Sequence, residues 1–330
     1  MESADRRVAP THSVAAVVYA MAPHDWLLLG QLLILLVLVM AGAGPTRGVA
    51  LALLLGDLVW FLAALASVRA TKPSRTASTF YRLSLIALAV ATYVELRWIL
   101  PVIAPGSVDA DLLAFDLRVF HVEPALAWDH LVTPPTTEWF AFFYYSYFFI
   151  LAIHAVPIAV GFDDGPDLRE FALGLLALYC IGHVTYVLVP ALGPHVHVQG
   201  FRNQLEGGVF WQLVKDMVEG AGAGKDVFPS LHTAAPLFLA LYGYRHRARR
   251  PFRYVWPITA FFSLQIIVAT MFLRWHYLVD IVAGIALAVG VWIIAPRVVA
   301  WEERRRRRAG LPPAFPESPV RSKRHALRTV

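Results

Sequence analysis

The chain has 330 residues, of which 58% are hydrophobic and only 16% charged, and its mean hydropathy is +0.57. Soluble domains run at about 45–50% apolar and about 25% charged residues, so a soluble globular domain is excluded and a polytopic membrane protein is indicated. The net charge of +6 gathers in short loops and the C-terminal tail, where it reports topology and is no sign of a nucleic-acid partner.

The single cysteine, Cys180, lies in an apolar run, which excludes a disulfide framework or thiolate metal site within one chain. Residues 1–25 read as a cytoplasmic lead-in. Arg6 and Arg7 ahead of residues 14–22 imitate a signal peptide, but the apolar part is short and Tyr19 interrupts it. The hydropathy pattern then predicts an all-α, polytopic membrane helix bundle of about eight spans, near 26–43, 49–68, 83–103, 139–160, 171–192, 229–244, 254–272 and 276–295. A basic cytoplasmic tail without fixed structure is expected over 301–330.

Loop charges orient the spans. Arg69, Lys72, Arg75 and Arg82 lie between spans two and three, Arg245 to Arg253 between six and seven, and Arg304 to Arg308 after span eight. All three clusters fall on one side if both termini are cytoplasmic. The outer side then receives the 104–138 and 193–228 loops and the 273–275 turn. An Arg-rich, Ala-rich, Cys-poor chain of this kind fits a bacterial inner membrane.

The long outer loops carry recognisable features. Residues 109–120 predict a short amphipathic helix lying in the membrane interface, with Asp109, Asp111, Asp116 and Arg118 against Leu112, Phe115 and Phe120. The aromatic run 139–149 reads as a lipid entrance or as a bulky membrane-facing surface. In the 193–228 loop, a Gly-Ala run precedes Lys225, and Pro229-Ser230 opens a helix whose free amides suit an anion. Lys225, Ser230 and Arg274 thus sketch a phosphate cradle; alternatively, Lys225 and Arg274 only mark the membrane edge. His195 and His197 lack a third ligand at a suggestive spacing, so no metal site is expected. Ionisable groups inside spans are functional candidates. Asp57 reads as an interhelical contact. His154 is a second candidate, and His183, about two turns below the outer end of span five, is a candidate wall of the phosphate pocket.

Two strings remain: Phe228-Pro229-Ser230-Leu231-His232 and Arg274-Trp275-His276-Tyr277-Leu278-Val279-Asp280. His276 and Asp280 are four apart, so on a helix they share a face. A carboxylate there fixes the imidazole tautomer and raises its basicity, which suits a nucleophile. The same spacing also arises from a capped helix start or a satisfied polar pair. The orientation above brings His232 and His276 to one membrane face. Two histidines so placed fit phosphoryl transfer, one attacking phosphorus and the other protonating the leaving oxygen.

These strings resemble the type 2 phosphatidic acid phosphatase superfamily, and within it the aureobasidin-resistance branch that includes inositol phosphorylceramide synthases. Residues 186–194, 120–124 and Tyr144 to Tyr147 are similar to that branch as well. The resemblance implies a six-helix catalytic core over 83–300 preceded by two extra N-terminal helices over 26–82, His276 as nucleophile, Asp280 as its partner, His232 as the acid, and no metal or other cofactor. The superfamily's Lys-Arg-Pro motif is missing, since Val189 precedes Pro190, and its Ser-Arg pair is replaced by Ala269-Thr270. The function this implies is metal-independent transfer of a phospho-head group between membrane lipids, such as phosphoinositol to a ceramide-like acceptor. The alternatives are a phosphatase of phosphatidate, sphingoid or prenyl phosphates that uses water, a transporter without chemistry, and a metal-dependent membrane hydrolase. No inverted repeat supports the transporter. The sequence does not fix an oligomeric state.

Overall fold

The computed structural model describes residues 14–69, 74–161 and 166–315. These are helical nearly throughout: α1 (Val14–Ala20), α2 (Pro23–Ala41), α3 (Arg47–Arg69), α4 (Arg75–Ile103), α5 (Asp109–Val119), α6 (Pro124–Ala127), α7 (Pro134–Gly161), α8 (Pro166–Leu188), α9 (Pro194–His197), α10 (Val209–Ala221), α11 (Leu231–Arg245), α12 (Phe252–Phe272) and α13 (Leu278–Ala309). The chain is an all-α polytopic bundle. Seven helices among the described residues are long and apolar enough to cross a membrane: α2, α3, α4, α7, α8, α12 and α13. The sixth expected crossing is α11. Its 15 residues span roughly 22 Å, short of the roughly 30 Å hydrocarbon core.

The helices alternate in direction, and their polar ends sort to two ends of the bundle. At one end, Arg69 Nη2 donates to Asp25 Oδ2 at 3.1 Å, Arg169 pairs with Glu303 at 3.1 Å, and Arg245 and Arg249 pair with Glu170 and Asp167. Arg305 and Arg306 donate to the carbonyls of Met21 and Ala20, at 2.8 and 2.7 Å. The basic clusters described therefore meet at one end; Lys72 lies outside the described residues. At the other end lie α5, α6, α9, α10 and the starts of α11 and α13.

Three elements differ from the sequence expectation. The eighth span begins at Leu278, after His276. The tail expected to lack fixed structure from 301 onward stays helical to Ala309. It then turns at Gly310 (φ 64°) and folds back, burying Ala314 and Phe315. The 193–228 loop contains α10, whose Phe210, Val214, Met217 and Val218 follow the i, i+4, i+7, i+8 rhythm of an amphipathic helix.

Close packing of α11 on α13 sets the site. A Cβ on Gly284 of α13 would meet the Ser230 carbonyl oxygen at 2.6 Å and Thr233 Cβ at 3.1 Å. A small residue lets the two backbones approach, and Ser230 N then donates to the Asp280 carbonyl at 3.1 Å. Ser230 is also the N-cap of α11, its hydroxyl accepting from Thr233 N at 3.2 Å. Gly284→Leu is expected to force these helix starts apart. Overpacking costs typically about 1–3 kcal/mol, so the variant should show a lowered unfolding temperature in detergent and lose turnover while still inserting in the membrane.

Candidate functional site

His276 is held by the way two helices end and begin. Helix α12 stops where Arg274 takes a left-handed conformation (φ 66°). Trp275 N then donates to Thr270 O at 2.9 Å and Arg274 N to Met271 O at 3.0 Å, a helix-ending pair of hydrogen bonds. An arginine tolerates this backbone because its guanidinium is anchored: Nη2 donates to Asp129 Oδ1 at 2.9 Å and to Asn203 O at 2.6 Å, and the group sits 3.9 Å above the Phe201 ring.

Helix α13 begins just beyond, with Tyr277 as N-cap. His276 thus precedes the helix, and the expected shared helix face is replaced by a capping arrangement. Asp280 is the third helical residue, and its Oδ2 accepts from Tyr277 N at 2.8 Å. That oxygen lies 3.4 Å from His276 Nδ1, a charge contact that is not aligned as a hydrogen bond. Asp116 of α5 accepts from Leu278 N at 2.6 Å and Val279 N at 2.9 Å, so carboxylates take three of the amides at this helix start. Asp109 accepts from Leu192 N and Gly193 N, and from the Tyr277 hydroxyl at 3.0 Å. Gly193 (φ 96°) is required there, because a Cβ would meet Trp275 O at 2.5 Å. Helix α5 turns its acidic face inward to do this and leaves Phe115, Leu117 and Val119 exposed. Burial pushes the Asp116 carboxyl up to about 6, against its two amide hydrogen bonds.

His232 stands opposite, in the first turn of α11. Its ring stacks on Tyr144 at 4.4 Å and packs on Tyr147 at 4.1 Å, and its centroid is 6.3 Å from that of His276. His232 Nε2 is buried and has no hydrogen-bond partner, and the same holds for Trp275 Nε1. The two histidines share a cavity of about 80 Å³ with His195, Asp226 and Trp275, roofed by Met217 and Val218 of α10. Burial pushes His276 down to about 4, opposed by the Asp226 carboxylate and the Val227 carbonyl. Its ring is therefore neutral near pH 7, with a lone pair free for attack.

The structure brings His276, Asp280 and His232 together and leaves the other sequence candidates apart. Lys225 turns away: its Nζ donates to the carbonyls of Ala104, Pro105 and Gly106 at 2.8–3.0 Å and closes the end of α4. Arg274 is spent on Asp129 and Asn203. Ser230 is consumed as a helix cap. His183 lies deeper, its Nδ1 3.1 Å from Gln31 Nε2, among Tyr93, Tyr179 and Tyr186. His154 bridges Ile150 O and Thr259, and Asp57 accepts from Thr92 of α4. No lysine or arginine is among the described residues that line the histidine cavity.

Sequence reasoning missed Asp226. It lines the cavity, accepts from the Tyr93 hydroxyl at 2.8 Å, and pairs its backbone with Ala191. Burial pushes its carboxyl up against that hydrogen bond. The available signal was an acidic residue six positions before His232, beside a lysine that drew attention instead.

Comparison with known proteins is consistent with this arrangement. A family model described as the PAP2 superfamily matches residues 110–294, more than half of the chain. A PA-phosphatase related-family protein of Dictyostelium discoideum is 28% identical over 127 residues, 37% of this chain. The match spans only 22% of that protein's length. No solved structure matches.

The depressed His276 value sets a pH profile. Below its pKa the ring is protonated and cannot attack. The acid limb of kcat/KM, which reports the free enzyme, should therefore fall as pH drops through about 4 rather than through the ordinary histidine value of 6.5. A pH–rate series in detergent reads this directly; a limb centred at 6.5 contradicts a buried, neutral His276 ring.

Proposed function

The chain belongs to the PAP2 superfamily, and from that premise we propose that it is an integral-membrane enzyme that transfers a phospho-head group from one lipid to the hydroxyl of another through a phosphohistidine. The observation that carries this reading over simple phosphate removal is the absence of lysine and arginine from the described lining of the histidine cavity, together with the presence of Asp226. A phosphomonoester carries about −1.5 to −2 charges near neutral pH. A phosphodiester carries one. Burying the second charge beside a carboxylate and without a cation is costly, so the site favours a diester such as a phosphoinositol lipid. An inositol-type head group passing to a ceramide-like acceptor fits this requirement.

The steps follow from the geometry. A phosphorus between the rings meets the neutral His276, which attacks in line. The P–O bond to the diacylglycerol oxygen breaks, and that oxygen takes the proton from His232. His232, whose Nε2 is buried and unpartnered in the structure, is the group placed to pass that proton. The acceptor hydroxyl then gives its proton to His232, and its oxygen displaces His276 from phosphorus. Trp275 Nε1, buried and unpartnered, is a donor for a phosphoryl oxygen in place of the missing cations. The basic end of the bundle is assigned to the cytoplasm by the charge rule, which puts the histidines at the outer face; the composition favours a bacterial inner membrane.

Purified protein given phosphatidylinositol, phosphatidate and ceramide, with EDTA present, tests the proposal by mass spectrometry of the lipids. Diacylglycerol together with a head-group-bearing ceramide is expected. His276→Ala and His232→Ala should each lower its formation by roughly a hundredfold or more, the scale of losing a nucleophile or a general acid. Diacylglycerol with free phosphate, from phosphatidate alone, would mean a phosphatase. Full activity in both variants would overturn the mechanism.

A further inference from the structure

A second cavity, of about 270 Å³, lies between α4, α7 and α8. His232 and Asp226 line its upper end, as they line the histidine cavity, so the two spaces adjoin at the site. Its walls are apolar, with Leu85, Phe148 and Leu176 typical of them. Its lower end is at Arg82 and Phe315. The stretch of α4 from Arg82 to Tyr93 measures roughly 17 Å at the helical rise, close to the roughly 15 Å of hydrocarbon in one bilayer leaflet. Val90 and Val156, both well exposed, stand at its rim on α4 and α7, so the space opens sideways between these helices.

The floor is built by the C-terminal segment. Arg306 Nη1 donates to Pro312 O at 2.7 Å, and Leu311 N donates to Arg306 O at 3.0 Å. The ring of Phe315, 1% exposed, stacks on His24 at 4.7 Å and lies 5.5 Å from the Arg82 guanidinium. Two hydrogen bonds of the segment and two contacts of the ring thus hold Phe315 across the foot of an apolar space whose head reaches His232.

We propose that this cavity takes one hydrocarbon chain of the lipid substrate, and that Phe315 is its floor and limits the length of chain accepted. The inference rests on the lipid reading of the histidine site, because a phosphorus held between His232 and His276 puts the lipid's tails at the cavity mouth. An apolar wall of leaflet depth with a lateral opening suits a chain that enters from the bilayer, head group at the site and methyl end at Phe315. In this account the folded-back segment sets substrate choice from the opposite end of the bundle.

Photocrosslinking tests the proposal without turnover. Full-length His276→Ala protein in phosphatidylcholine nanodiscs is illuminated with phosphatidylinositol bearing a diazirine at the methyl end of an octadecanoyl chain, and labelled residues are mapped. Labelling concentrated on residues 82–89, 155–159 and 315 is expected; a diazirine next to the ester should instead label Tyr93 and Phe148. Phe315→Trp should lower methyl-end labelling of 82–89 by roughly fivefold or more for octadecanoyl, the factor that overpacking a closed apolar space brings, and leave a dodecanoyl probe unchanged. Label spread evenly over outward residues such as Val37, Ile258 and Leu264 overturns the proposal, as does a Phe315→Trp protein that labels like its parent. Because no chemistry is needed, cavity labelling with no His276-dependent lipid product would fault the reaction and spare the chain site. A transfer product without cavity labelling would do the reverse.

Discussion

The end of the bundle that holds both histidines depends on buried carboxyl groups that accept backbone amides. Asp116 and Asp280 take the amides of Tyr277, Leu278 and Val279 at 2.6–2.9 Å. A helix start left without such partners exposes orphan donors, and each lost cap costs about 1 kcal/mol. Here the cap also has a positional result. It fixes where α13 begins, and the left-handed Arg274 fixes where α12 ends, so His276 is left between two defined boundaries. Asp109 ties the 192–193 turn to the Tyr277 hydroxyl in the same way. The acidic face of α5 is thus the frame of the histidine pair, and its apolar face is turned outward.

That frame explains an apparent contradiction in the chemistry. A site that handles phosphate normally recruits cations, yet Lys225 and Arg274 are both committed elsewhere: one closes α4 and the other stabilises a strained turn. Both serve backbone geometry. What remains around the histidine pair is three imidazoles (His195, His232 and His276), an indole N–H and the Asp226 carboxyl. The proposed preference for a monoanionic diester over a dianionic monoester rests on this lining. The same apolar, cation-poor character continues down the space between α4, α7 and α8 to Phe315.

The fold was largely legible in the sequence because hydropathy and loop charge are strong, additive signals. Span positions, the amphipathic α5, and the gathering of basic residues at one end follow from them. The meeting of His232 and His276 was legible too, since an even number of crossings between two strings is enough to predict it. Other features escaped for physical reasons. The pairing of Lys225 with three carbonyls, and of Arg274 with Asp129, depends on contacts over a hundred residues apart, and a charge in a string does not show where it points. The helical face expected for His276 and Asp280 gave way because a capping aspartate at the third position starts the helix at Leu278, two residues after His276. Helix α10 was hidden by attention to the glycines beyond it, although its apolar rhythm was there to be read. Asp226 carries no motif at all, and only packing brings it to the site. The described part of the tail follows from Arg305 and Arg306 finding the Tyr19 and Ala20 carbonyls of α1, a partnership that composition reads only as a run of charge.

The central claim is that His276 forms a covalent bond to a phosphorus that still carries its head group. The most direct measurement is rapid alkaline quench of the unaltered protein with phosphatidylinositol and no acceptor lipid, followed by mass spectrometry of the peptide containing His276. The account predicts an adduct of phosphoryl plus head group on His276, accumulating because no acceptor hydroxyl is present for the second step. An adduct on another residue, or a bare phosphoryl group on His276, would contradict it.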